Sequence, residues 1–83
     1  MNRQNSADWT RNLGAAIRMR RHLLHLSQGE VADLAQCSER AVRDLERGVG
    51  AARLDTLLAV LGALGLGLQV VNGRGEVTVT DDI

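Results

Sequence analysis

Apolar positions along the chain follow two periods, and the change falls near Gly65. Leu13, Ile17 and Leu24 recur at helical spacing and predict a first helix, with Asp8 or Thr10 as its cap and an end near His25. Arg21 stands four positions after Ile17 and three before Leu24, so it shares their inward face. Residues 1–7 read as a frayed polar terminus.

Ser27-Gln28-Gly29-Glu30 is a capping box, in which the serine oxygen and the Glu30 carboxylate each satisfy a backbone N–H that a helix start leaves orphaned. Leu26 and Val31 flank it as a hydrophobic staple, and a short helix over about 28–34 follows with Val31, Ala32 and Leu34 apolar. Ala35-Gln36-Cys37 separates it from Ser38, which opens a third helix by the same device, with Cys37 and Val42 as the staple. Val42 and Leu45 point inward there, Glu39, Arg40, Arg43, Asp44 and Arg47 point outward, and Gly48 is the C-cap.

Leu54, Leu57, Leu58, Leu61 and Leu64 mark a fourth helix that is expected to end at Gly65, with Val60 as a second apolar edge. Alternation then takes over in 66–70 and again in 76–80. Asn72-Gly73-Arg74-Gly75 reads as a hairpin loop, which sets Val70 opposite Val77 and Leu68 opposite Val79, with Gln69 and Thr78 on the other face. A lone hairpin is marginal in water, so its apolar face must lie on the helices, on a symmetry mate, or on both.

At 83 residues the chain is one domain at most. Hydrophobic residues make up 45% of it and Trp9 is the only aromatic, so the core must be aliphatic. Zero formal net charge argues against a simple basic nucleic-acid binder, but the distribution is uneven. Residues 1–53 carry nine Arg against six acidic groups and residues 54–83 one Arg against four, so the halves are +3 and −3 and any anion-binding face lies in the first.

The single cysteine, Cys37, cannot form an intrachain disulfide and reads as a core thiol. No signal-peptide pattern is visible, and the apolar stretch 57–68 is broken by three glycines and too short to span a bilayer. A cytoplasmic protein with no membrane segment is expected. His22 and His25 have no accompanying ligand cluster and read as surface residues, so neither a metal nor a cofactor is expected. With no nucleophile, base and orienter set in view, an enzyme is not expected either.

Two short capped helices joined by a three-residue turn are the layout of a DNA-binding helix-turn-helix, whose second helix enters the major groove. The stretch IRMRRHLLHLSQGEVADLAQCSERAVRDLERG resembles the Xre/Cro-type phage-repressor family in its Ile-Arg-x-x-Arg, Leu-Ser-Gln, Leu-Ala and Ile-x-x-x-Glu-x-Gly pattern, with conservative swaps, over about 13–65. The C-terminal stretch LLAVLGALGLGLQVV is similar to HipB-type antitoxins, in which a Leu-rich last helix runs into a strand that pairs across the dimer two-fold. The fold class implied is mainly α: a four- to five-helix phage-repressor-like domain over 8–65, a C-terminal β-strand or hairpin over 66–80 at the dimer interface, and a tail over 81–83.

The resemblance implies a homodimeric repressor of its own operon that binds double-stranded operator DNA and a HipA-type serine/threonine kinase toxin. It places Ser38, Glu39, Arg40, Arg43 and Asp44 at base edges and Ser27, Gln28, Arg47 and Arg53 at the phosphate backbone. Arg suits guanine O6 and N7, and Glu accepts from cytosine N4, while phosphate contacts fix register. The resemblance also implies an Arg21–Glu46 ion pair that holds the first helix to the third. The leucine stripe of the fourth helix reads first as core and, with its Val60 edge, second as a dimer surface, which with the strand gives an interface at Leu61, Leu64, Leu66, Leu68 and Val70.

The chain departs from the family pattern at two points. Gln36 stands in the turn where the family has Gly, so a slightly altered turn is expected, because a left-handed non-Gly residue costs roughly 1 kcal/mol. The second strand, 76–80, exceeds the single strand of the antitoxins and implies a hairpin in each subunit. A stand-alone repressor without a toxin and a protein-interaction adaptor that ignores DNA are the alternatives.

Overall fold

The computed structural model describes residues 6–70 and 77–81. Four helices, α1 (Ser6–Leu23), α2 (Gln28–Ala35), α3 (Glu39–Arg47) and α4 (Leu54–Ala63), precede an antiparallel pair of strands, β1 (Leu66–Val70) and β2 (Val77–Asp81). The expected hairpin loop 72–75 lies outside the described residues.

α1 starts earlier than expected, at Ser6, so Asp8 and Thr10 lie inside the helix rather than capping it. Asp8 occupies the first turn, where a carboxylate favours the positive end of the helix dipole, and it pairs with Arg11. At the other end α1 stops at Leu23 because His25 turns left-handed, with φ 57°. Leu24 is therefore off the helix and 43% exposed, not inward as its spacing predicts, and Leu26 packs on the core instead.

Three helices end in one device. The N–H of Leu26 reaches the Arg21 carbonyl, that of Cys37 the Ala32 carbonyl and that of Val49 the Asp44 carbonyl, each at 3.0–3.1 Å, around the left-handed residues His25, Gln36 and Gly48. Gln36, at φ 58° and ψ 45°, adopts the left-handed conformation that Gly48 adopts at the end of α3. The strain stays in its own backbone. At the helix starts, Ser27 and Glu30 form the full capping box, whereas Ser38 only accepts from the Ala41 N–H because its N3 residue is alanine.

Ile17, Val31, Val42, Val60, Leu61 and Leu64 are the largest fully buried side chains, so all four helices feed one aliphatic core. α1 lies close on α3 because Gly14 has no side chain: a Cβ there would fall inside the carbonyl groups of Leu45 and Glu46. β1 pairs with β2 in the expected register, Val70 to Val77 and Leu68 to Val79, and Leu66 meets Asp81. Leu66 is buried, Leu68 and Val79 pack against the core, and Val70 at the far end is 78% exposed.

Burial corrects part of the expected dimer interface. Leu61, Leu64 and Leu66 belong to the subunit's own core, and so does Val60, the expected second edge of α4. The apolar side chains that α4 and β1 leave exposed are Leu54, Leu58 and Val70, with Leu68 half-buried.

Candidate nucleic-acid interface

α3 is the most sharply two-faced helix of the fold. Val42 and Leu45 are buried, whereas Glu39, Arg40, Arg43 and Arg47 are exposed and Asp44 is half-buried. Charges on the outward face cost nothing to solvate, and the caps at Ser38 and Gly48 hold the helix that displays them. Arg40 lies 3.8 Å from Asp44 one turn on, and at 83% exposure its guanidinium is available to another acceptor.

Ser38, Arg40, Asp44 and Arg53 come together around a cleft of about 290 Å³ between α3 and the loop leading into α4. Arg53 stands at the start of α4 with both guanidinium arms on Asp55, at 3.2 and 3.0 Å. Hydrogen bonds from the Thr56 N–H and from Arg53 hold the Asp55 carboxyl below its ordinary range. Ser27 is exposed at the start of α2, and a Cβ placed on Gly29, two residues on, would meet the Glu39 carboxylate in ordinary contact at 3.8 Å. Arg47 stands apart, on the α1 side of α3.

A buried polar junction fixes how α3 is presented. Arg21 Nε donates to Glu46 Oε2 at 2.5 Å and Arg21 Nη2 to Glu46 Oε1 at 2.9 Å, as the resemblance implies. Arg21 Nη1 also donates to the Leu26 carbonyl at 3.0 Å. Gln28 Nε2 donates to Glu46 Oε1 at 3.2 Å, so its amide group faces inward and links α2 to the same carboxylate. Sequence reasoning places Gln28 only against phosphate and misses this second role.

Burial alone would push the Glu46 carboxyl up. Hydrogen bonds from Arg21 and Gln28, with the charges of Arg21 and Arg18, outweigh it and hold the group below the usual carboxylate range. The Glu46 hydrogen bond conversely raises Arg21 against the opposing effect of its own burial. Burial beside the core pushes the Cys37 thiol up from its ordinary value.

Arg20 is a further residue that the pattern does not single out. Its Nε donates to the Leu64 carbonyl at 2.9 Å, closing the end of α4, and its Nη1 lies 3.5 Å from Asp81 of β2. One side chain thus joins α1 to the hairpin. Among the described residues no group of three or more His, Cys, Asp or Glu is placed to hold a metal ion, and no helix is long and apolar enough to cross a membrane.

A helix-turn-helix with a charged, outward second helix defines a DNA-binding protein by class. The helix-turn-helix family model HTH_3 matches residues 17–71, and the chain belongs to that Xre-like family of DNA-binding regulators, which is not an enzyme family. No curated protein matches the chain.

Proposed function

We propose that the protein is a homodimeric repressor that reads a two-fold operator through α3. The observation that carries this reading is the outward face of Glu39, Arg40, Arg43 and Asp44 on a helix capped at both ends and held by the Arg21–Glu46–Gln28 junction. Arg40 and Arg43 reach guanine edges, Glu39 reaches cytosine, and Ser38 and Asp44 flank them. Ser27, Arg47 and Arg53 contact phosphate and set register, with the start of α2 at Gln28 beside them.

Dimerisation uses the C-terminal part. Leu54, Leu58 and Val70 are exposed apolar side chains on α4 and β1, and Leu68 is half-buried. Among the described residues β1 pairs with β2 on one edge and with no strand on the other, which a neighbouring strand could take. A two-fold copy would cover both features.

Within this reading the protein is the HipB-like antitoxin of a type II toxin-antitoxin pair, which neutralises a HipA-type serine/threonine kinase and represses the shared operon. The Leu-rich α4 that passes through Gly65 directly into β1 supports it. The pairing of β2 along all of β1 favours a second reading, a stand-alone repressor, since a single-strand antitoxin has no such partner strand.

Co-expression with the neighbouring reading frames, followed by footprinting of the purified product on upstream DNA, tests both levels. A kinase-sized partner in a stable complex supports the antitoxin. A dimer that protects a two-fold site alone supports the stand-alone repressor, and no protected site overturns the DNA reading.

A further inference from the structure

The outward face of α1 carries a stripe that the core does not use. Ala15, Met19 and Leu23 follow one another at intervals of four and all are exposed, Met19 by 67% and Leu23 by 66%. Single exposed apolar residues are ordinary, but three on successive turns make a continuous strip about 12 Å long. The strip forms one wall of a cleft of about 670 Å³ between α1 and the C-terminal end of α3.

The rim of this cleft is cationic. Arg18 and Arg47 stand around it, with Arg11, which is paired to Asp8, at one end, and its one carboxylate, Glu46, is engaged by Arg21 and Gln28. Arg18 and Arg47 form no ion pair with any described residue. An apolar strip one helix wide with unpaired guanidinium groups beside it has the complement of an amphipathic helix whose flanks are acidic.

We propose that the cleft between α1 and the end of α3 is a docking site for an acidic amphipathic helix of a partner protein. Its apolar side chains, spaced three and four apart, lie on Ala15, Met19 and Leu23, and its Asp and Glu residues meet Arg18 and Arg47. A DNA backbone would satisfy the arginines but would leave Met19 and Leu23 against charged phosphate, where they gain nothing. The site shares Arg47 with the proposed DNA-contacting face of α3 but none of its base-reading side chains, and its apolar wall belongs to α1 alone, so it stands whether or not α3 reads DNA.

The test is selection of binders from a displayed library of random helical peptides against the full-length protein, with a Met19→Glu, Leu23→Glu variant as counter-target. Both side chains are two-thirds exposed, so the variant folds, which an unchanged melting temperature verifies. The expected binders carry apolar residues at helical spacing with Asp and Glu between them. They lose at least about tenfold in affinity against that variant and against Arg18→Glu, Arg47→Glu.

Binders that hold the variants equally well, binders with no acidic excess, or an absence of binders would each overturn the proposal. So would amide resonances of 15–23 that move on adding duplex DNA, or with concentration of the protein alone, since the occupant is then DNA or a second copy.

Discussion

Arg21 and Glu46 meet through two hydrogen bonds, at 2.5 and 2.9 Å, where α1, α2 and α3 converge. Both side chains are largely shielded, so removing one partner leaves the other charge desolvated and unpaired. Arg21→Ala is expected to destabilise the domain by about 3 kcal/mol, and Arg21→Met with Glu46→Leu to recover most of it. Thermal melts of Arg21→Met, Glu46→Leu and the double variant give the coupling directly. A loss of DNA binding in Arg21→Ala is then a folding effect and tracks the melt.

The same junction sets the acid limit of stability. Glu46, and Glu30 in the capping box, have carboxyl groups held below their unfolded values, the latter mainly by the Ser27 backbone N–H. The unfolded chain therefore binds more protons in acid. The stabilisation is full above the unfolded range of about 4.3 and is lost as pH falls through the folded values. Urea melts from pH 7 to 3 should show this decline, and Glu46→Gln should start lower and flatten it.

Gln36 holds a left-handed backbone that glycine adopts freely. Gln36→Gly is expected to stabilise the protein by roughly 0.5–1 kcal/mol, the relief of strain exceeding the added freedom of the unfolded chain. A rise of several degrees in melting temperature checks it. Gly14→Ala, with its Cβ forced into the α3 backbone, should lower the melting temperature in the same measurement.

Arg40 and Arg43 are exposed and support no buried group, so their removal separates recognition from folding. Each Ala substitution is expected to cost about 1–3 kcal/mol of discrimination between operator and mutated operator, with the melt unchanged. Arg47→Ala should weaken binding to all sequences alike and reduce its salt dependence by about one ion. Equal discrimination after both Arg40 and Arg43 are replaced would remove α3 from the reading role.

The helices of this protein were legible because their limits are local. Ser27 and Glu30 cap within one turn, Ser38 within one turn, and Gly48 ends α3 through its own backbone. His25 ends α1 in the same way, near where the end is expected, but the apolar spacing that continues into Leu24 hides that Leu24 leaves the helix. The strand register was readable because alternation and turn length together allow one pairing. In the candidate interface, the outward charges of α3 followed from helical period, whereas the inward bond of Gln28 to Glu46 did not.

By itself, then, the order of residues determined four helices, a hairpin, an aliphatic core and a charged second helix of a helix-turn-helix, because caps, turns and period act within a few positions. Which apolar faces found a cover was decided only in three dimensions. Leu61, Leu64 and Leu66 are enclosed by neighbouring elements, whereas Met19 and Leu23, no less apolar, stand open. The crossing of α1 over α3 at Gly14, and the reach of Arg20 to Leu64 and Asp81, bring together residues dozens of positions apart. Periodicity assigns a residue to a face, and the packing of distant segments determines what that face meets.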